Sequence, residues 1–288
     1  AEGDGAISTV MSVHNAPFCA ILERYGSPAQ KADVLRPAAR GEFIGAFALT
    51  ESHAGSDASA IRTRARRVGD GYVIDGSKQF ITSGRLARYA VVFAVTDPER
   101  PKQGITAFLV ATDTPGFSVT HVEHKLGQKA SDTCSLAFDA MHVGVADRIG
   151  GEGEGYRIAL SSLEAGRIGI AAQSVGMAQA ALDHAVAYAA ERRSFGRSLL
   201  EHQAVAFRLA DARTRVEAAR QLVLSAAAVL IILINTAYQD GRADNQPGDE
   251  PHDAQNQRLF KHHAEEKAGA ITHRLEGGVF AHMIGNIG

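Results

Sequence analysis

The sequence predicts an α+β chain in three parts: a helical N-terminal stub, an antiparallel β-barrel or sandwich in the middle, and a C-terminal α-helical bundle. Three observations predict it. Asp4-Gly5 precedes an apolar run, Ile7–Ile21, that reads as helix. From Phe43 the period changes to short β-branched and aromatic runs separated by turn pairs, the pattern of an all-β unit. After the glycine-rich stretch Gly151-Glu152-Gly153-Glu154-Gly155 the pattern is helical again. The expected domains are 1–43, 44–150 and 151–288, the last diverging after about residue 229.

Each element has its own signal. Ser27-Pro28 opens a second helix, with serine as N-cap and proline in the first turn; Ala29–Ala39 carries it and Arg40-Gly41 stops it. The strands are expected at Phe43–Leu49, Tyr72–Ile74, Gln79–Thr82, Tyr89–Val95, Thr106–Val110, Phe117–Val122 and Leu136–Phe138. Gly69-Asp70-Gly71, Asp75-Gly76, Asp97-Pro98 and Pro115-Gly116 are expected turns. Tyr156–Glu191 is a long helix, Arg192–Arg197 breaks it, and Leu199–Val229 resumes it. Asp240–Gln257, rich in Asp, Asn, Gln and Pro, predicts a mobile loop, and Arg258–Leu275 a final helix.

Composition narrows the class. The chain has 288 residues, 45% hydrophobic and 22% charged, enough for more than one domain. A formal net charge of -2 argues against a nucleic-acid binder. Two cysteines, Cys19 and Cys134, make neither a disulfide framework nor a zinc site, and read as free core thiols. Ala1–Gly5 has neither the basic nor the apolar block of a signal peptide. The most apolar run, Leu222–Ile234, is shorter than the ~20 residues a membrane span needs, so it is expected to be a buried helix or strand.

Three stretches carry chemistry. GAFALTESHAGSD (45–57) is a strand ending in polar residues; Thr50 offers a hydroxyl, Gly55 a close backbone approach and Ser56 a further donor. KQFITSG (78–84) places an aromatic, an aliphatic and a threonine before a glycine, which suits a planar cofactor. ERRSFG (191–196) interrupts a helix with two guanidinium groups, a hydroxyl and a ring; arginine forks suit a pyrophosphate. Taken singly, each is equally an ordinary strand end or helix cap.

Taken together and in order, they resemble the acyl-CoA dehydrogenase family. The first stretch is similar to that family's first signature and the second to its second flavin-wall segment, with Phe80 where many members carry tryptophan. KLGQKASDTCSLAFDAMHV (125–143) resembles the end of its β-domain. SSLEAGRIGIAAQSVGMAQAALDHAVAYAAERRSFGRSLLEHQAV (161–205) resembles the first two helices of its C-terminal domain. The likeness runs from about Gly3 to Val229, without the family's early N-terminal helices or its C-terminal catalytic segment.

The resemblance implies an FAD enzyme that dehydrogenates a short- to medium-chain acyl-CoA and passes electrons to an electron-transfer flavoprotein. It implies that Phe47, Leu49, Thr50 and Ser56 line the flavin or its pyrophosphate, and that Phe80, Ile81 and Thr82 pack against the isoalloxazine. Arg192, Ser194, Phe195 and Gln203 are implied to reach the FAD of a neighbouring subunit in a homotetramer. Ser56, Glu164 and Arg167 are implied to bind CoA, the last two standing also at the helical spacing of an ion pair. Gly277 and Gly278 fall where the family grips the FAD adenosine, though Arg274 and Glu276 depart from its motif. The implied location is a bacterial cytoplasm or the mitochondrial matrix.

The catalytic base is the departure. No Tyr-Glu-Gly-Thr segment is present, and the alternative family position, just before Arg167, is Gly166. Glu164 is the carboxylate weighed for the role, and it faces about 200° away on the helix. Two further readings therefore stand beside the dehydrogenase. One is a flavin oxidase or monooxygenase on the same fold, with His53 or His202 as base; the other is an acyl-CoA- and FAD-binding member that does no chemistry.

Overall fold

Asp4 starts the fold. In the computed structural model, which describes residues 1–243, its carboxylate accepts from Ile7 N at 2.8 Å and caps α1 (Gly5–Val13). A π-helical turn, His14–Cys19, carries the chain past Pro17 into α2 (Ala20–Tyr25). Its wider turn accommodates a residue with no N–H to give. The stretch Gly5–Tyr25 is long and apolar enough to cross a membrane, but Pro17, Phe18, Ile21 and Leu22 are buried in the protein core. Ser27 opens α3 (Pro28–Gln30) as expected: its hydroxyl accepts from Gln30 N at 3.2 Å, and Gln30 Oε1 accepts from Ser27 N at 3.0 Å. A second π-helical segment, Lys31–Leu35, leads into α4 (Arg36–Ala39). Gly41, in the left-handed region, ends it.

Eight strands follow: β1 (Gly45–Ala48), β2 (Arg64–Val68), β3 (Gly71–Thr82), β4 (Tyr89–Val95), β5 (Ile105–Ala111), β6 (Phe117–Val122), β7 (Thr133–Gly144) and β8 (Arg148–Ile149). They form one sheet in the order β6-β7-β3-β2-β4-β5-β8, with β1 beside β4. Three sequence expectations need correction. The sheet is not wholly antiparallel, because β1 runs parallel to β4. β2 is absent from the sequence expectation; four of its five residues are exposed, so it lacks the apolar alternation of a half-buried strand. Tyr72–Ile74 and Gln79–Thr82 are one strand, and Asp75-Gly76 is not a turn within it; the extra residue of the bulge there lies opposite, in β7, where Ala140 has φ 45°. Gly76 has φ +146°, and a Cβ there would lie 2.7 Å from the Thr63 backbone. Only glycine fits that approach.

The sheet separates two apolar clusters. Along β4, Val91 and Phe93 face a layer shared with Phe18, Ile21, Leu22, Ile158 and Ala159. Ala90, Val92 and Ala94 face the other, with Tyr72, Ile74, Phe108, Leu136 and Met141. The first helices and the start of α5 (Gly155–Glu191) thus cover one face of the sheet. A hairpin of β9 (Arg193–Ser194) and β10 (Arg197–Ser198) then leads to α6 (Gln203–Ala243).

The run Leu222–Ile234 is helical, but Leu222, Leu224 and Ile231 are exposed, not buried as expected. Asp240–Ala243 belong to α6, so the polar loop does not begin at Asp240. The rest of that loop, the helix Arg258–Leu275, and Gly277 and Gly278 lie outside the described residues. The chain divides into two compact units, Ala1–Ala226 and Ala227–Gly288; every site residue described below lies in the first.

Candidate functional site

The ends of β1 and β3 meet. Gln79 N donates to Thr50 O at 2.9 Å, so the two apolar-to-polar stretches named from sequence lie side by side. Beyond Thr50, Glu51 and Ala54 exchange both backbone hydrogen bonds and tighten the turn toward Gly55 and Ser56. Ser56 is exposed, Leu49 is buried, and half-buried Phe47 packs edge-on to Phe93. In β3 the even positions Tyr72, Ile74 and Lys78 point inward. The register shift between Lys78 and Ile81 reverses that parity. Ile81 is therefore buried, while Phe80 adopts φ 59° and leaves 58% of its surface exposed. A left-handed phenylalanine in a strand is a strained conformation held by its surroundings. It presents a flat ring, flanked by half-buried Thr82, to whatever occupies this edge.

Beneath the edge lies an ion pair that sequence reasoning does not single out. Lys78 Nζ donates to Glu51 Oε1 at 2.8 Å and to Leu49 O at 2.9 Å. The two side chains are 0% and 4% exposed. Glu51 also accepts from Arg62 N at 2.6 Å and Thr63 N at 3.0 Å. Burial alone pushes the Glu51 carboxyl up, but the Lys78 charge and these hydrogen bonds bring it below its ordinary value. Burial pushes the Lys78 amine down to about 8, against the opposing pull of Glu51. The 2.8 Å contact is the geometry of an ion pair.

A carboxyl lowered on folding contributes stability above its unfolded value of about 4.3, and loses it as pH falls through the folded value. Glu51→Gln is therefore expected to flatten the acid limb of unfolding free energy against pH. Urea denaturation across the acid range measures this, and an acid limb as steep as the wild type's contradicts it.

The far end of β3 leads into a polar pocket. Ser83, at φ 60°, donates its N–H to Asp132 O at 3.1 Å, and Arg85 N donates to Asp132 Oδ2 at 3.0 Å. Lys125 Nζ donates to Ser131 O and, at 2.9 Å, to Thr133 Oγ1. A cavity of about 270 Å³ opens here, lined among others by Arg85, His124, Lys125, Lys129, Ser131 and Asp132. Ser83 Oγ, Ser131 Oγ and Asp132 Oδ1 are buried with no protein hydrogen-bond partner among the described residues. Such atoms are scarce in folded proteins, because each costs roughly 1–3 kcal/mol. The basic side chains of Arg85, Lys125 and Lys129 around this pocket suit an anionic ligand, set against the carboxylates of Glu123 and Asp132 in the same lining. None of these residues stands out from sequence as a binding group, although the run from Lys125 to Ser131 holds two lysines and a serine within seven positions.

The remaining sequence candidates do not join this edge within one chain. Arg192, Ser194 and Phe195 sit at the β9–β10 hairpin beyond α5, and Gln203 begins α6. Phe195, at φ 50°, is 96% exposed. Glu164 and Arg167 are exposed or half-exposed on α5, and among the described residues no ion pair joins them. His53 Nε2 lies 3.2 Å from Ala60 O, and His202 Nε2 lies 3.1 Å from Ser194 O; both rings brace loops. Burial pushes the Cys19 and Cys134 thiols up to about 11, so neither is a thiolate nucleophile at neutral pH.

Known proteins share this arrangement. Three family models match in order: the acyl-CoA dehydrogenase N-terminal domain over residues 1–42, the middle domain over 46–141 and the C-terminal domain over 153–232. An acyl-CoA dehydrogenase of Bacillus subtilis is 46% identical over 222 residues, 77% of this chain and 59% of that protein. The chain belongs to the acyl-CoA dehydrogenase family. A short-chain specific acyl-CoA dehydrogenase of Clostridium acetobutylicum is 45% identical over 223 residues, again 77% of this chain and 59% of that protein. Among solved structures, butyryl-CoA dehydrogenase of Megasphaera elsdenii aligns with a TM-score of 0.77 and 41% identity, covering 79% of this chain and 60% of that one. The chain thus spans about three-fifths of the length of these relatives. As an acyl-CoA dehydrogenase family member it carries both wall segments and the basic pocket within the region matched by the middle-domain model, apart from Gly45 at its edge.

Proposed function

We propose that this protein takes part in FAD-dependent α,β-dehydrogenation of an acyl-CoA thioester of short to medium chain. The observation that carries the reading is the junction of β1 and β3, where Thr50 and the strained, exposed Phe80 share one edge. A flat ring, a threonine hydroxyl and a glycine at Gly55, whose added Cβ would meet nothing within 4 Å, fit a planar cofactor and its phosphates. Phe47, Leu49, Thr50 and Ser56 would hold FAD from one side, and Phe80, Ile81 and Thr82 from the other. FAD, when bound, supplies the hydride acceptor.

The pocket of Arg85, Lys125, Lys129 and Ser131 suits the phosphate-bearing arm of CoA; Ser56 would touch the CoA arm, and Glu164 and Arg167 would take its adenine end. Arg192, Ser194, Phe195 and Gln203 lack the wall within their own chain, which supports their reaching a neighbour's FAD in a homotetramer. The electron acceptor is an electron-transfer flavoprotein, and the setting a bacterial cytoplasm or mitochondrial matrix.

A second reading has one specific observation in its favour. Glu51 directly follows Thr50, but both of its oxygens are engaged, so it is not free to act as a base. Glu164 is exposed on α5, and Gly166 stands at the alternative family position. A member that binds FAD and acyl-CoA without dehydrogenating is therefore the alternative. Anaerobic addition of butyryl-CoA to the purified protein separates the two. A flavin band that bleaches establishes the dehydrogenase, and a bound flavin whose band persists establishes the binding protein. Peroxide release in air marks the oxidase. Thr50→Val is expected to weaken flavin binding and shift its absorbance; full occupancy with an unshifted spectrum removes Thr50 from the site.

A further inference from the structure

We infer that Glu51 and Lys78 form a positioning pair that fixes the two cofactor walls relative to each other without touching the cofactor. The inference rests on the FAD reading above. The pair's bonds are gathered around one residue. Lys78 holds Leu49 O and Glu51, the residues on either side of Thr50. The residue after Lys78, Gln79, holds Thr50 O. The chain around Thr50 is thus tied to β3 at three consecutive residues. Glu51 anchors the same assembly to Arg62 N and Thr63 N in the segment before β2.

Lys78 also lies two residues from Phe80. The parity reversal that exposes Phe80 begins immediately after Lys78. A strained φ persists only where surrounding contacts over-determine it. The ammonium, buried completely and bonded at two points, supplies that constraint on one side of the bulge.

Stability by itself is a weak reason for such a pair. Desolvation takes back most of what attraction supplies, and well-packed uncharged replacements of similar volume are often neutral or better. Directional bonds to Leu49 O, Arg62 N and Thr63 N do what apolar packing cannot, because they specify the angles of three backbone segments. The pair therefore serves the geometry of the ligand edge.

The test is the double variant Glu51→Gln/Lys78→Met, which removes both charges and keeps one amide oxygen to accept from one of the two N–H groups, Arg62 or Thr63. Four quantities are compared with wild type: the unfolding midpoint of the apo-protein, flavin content as purified, Kd for FAD, and the visible spectrum of bound flavin. The expected result is an apo midpoint lowered less than in Lys78→Met alone, with FAD binding weakened about ten-fold, the scale known for groups that orient metal ligands, and a flavin spectrum moved toward that of free FAD. Unchanged Kd and spectrum overturn the inference while leaving the FAD reading intact. Where the double variant does not fold cooperatively, Glu51→Gln alone is measured by the same Kd and spectrum: weakened binding with a shifted spectrum supports the pair's role, and unchanged values overturn it. A wild-type protein that binds no FAD overturns the cofactor reading itself, and the inference with it.

Discussion

Lys78→Met is expected to lower the unfolding free energy by about 3–5 kcal/mol, the cost of leaving a buried charge without its partner. Glu51 is 4% exposed on its side chain and cannot turn to water. Without Lys78 it keeps the Arg62 and Thr63 N–H groups. Among the described residues it then has no basic side chain beside it except His53, 3.5 Å away and itself in contact with Ala60 O. The carboxyl is left with two poor options. It stays ionised in an apolar setting, or it takes up a proton and weakens the two N–H bonds. Adding Glu51→Gln to Lys78→Met is expected to restore part of the loss, because it removes the orphaned charge but leaves one of the Arg62 and Thr63 N–H groups without its acceptor. Urea denaturation of the wild type, both single variants and the double closes the cycle. A Lys78→Met loss of less than about 1 kcal/mol, the scale of an exposed pair, contradicts the buried assignment.

The wall segments are legible in the sequence because their signals are local. GAFALT and KQFIT end in Thr beside polar or glycine residues, and the backbone ends its strands there or close by. The Ser27 cap and the break at Arg192–Arg197 are legible for the same reason. The ion pair is not. Its partners are 27 residues apart in sequence, and each alone reads as surface charge. One signal exists: Lys78 has the parity of Tyr72 and Ile74 if β3 is a single strand. Splitting that strand at Asp75-Gly76 discards it, since an Asp-Gly pair reads as a turn even where the strand continues through it. The exposure of Leu222, Leu224 and Ile231 is hidden for a different reason. Apolar composition says that a surface is suited to being covered, and does not say by what.

The core beneath the site supplies the second large effect. Phe18 is fully buried, stacks on His14 with ring centroids 5.9 Å apart, and lies directly under Gly45, the first residue of β1. A methyl group added at Gly45 would overlap the Phe18 ring. Phe18→Ala is expected to cost about 3–5 kcal/mol through lost burial and an unfilled cavity. Gly45→Ala is expected to be destabilising in the wild type, where β1 is held by its parallel pairing to β4 and has little room to retreat. In the Phe18→Ala background the ring is gone and the same methyl group enters the space it left. The two costs should therefore fall short of additive by on the order of 1 kcal/mol or more, as is usual for residues in contact. Because β1 leads within two residues to Thr50, the same cycle read by FAD Kd reports whether strain at the start of the strand reaches the ligand edge. Strict additivity in stability would mean that Phe18 and Gly45 do not share the contact that fixes β1 against the helices.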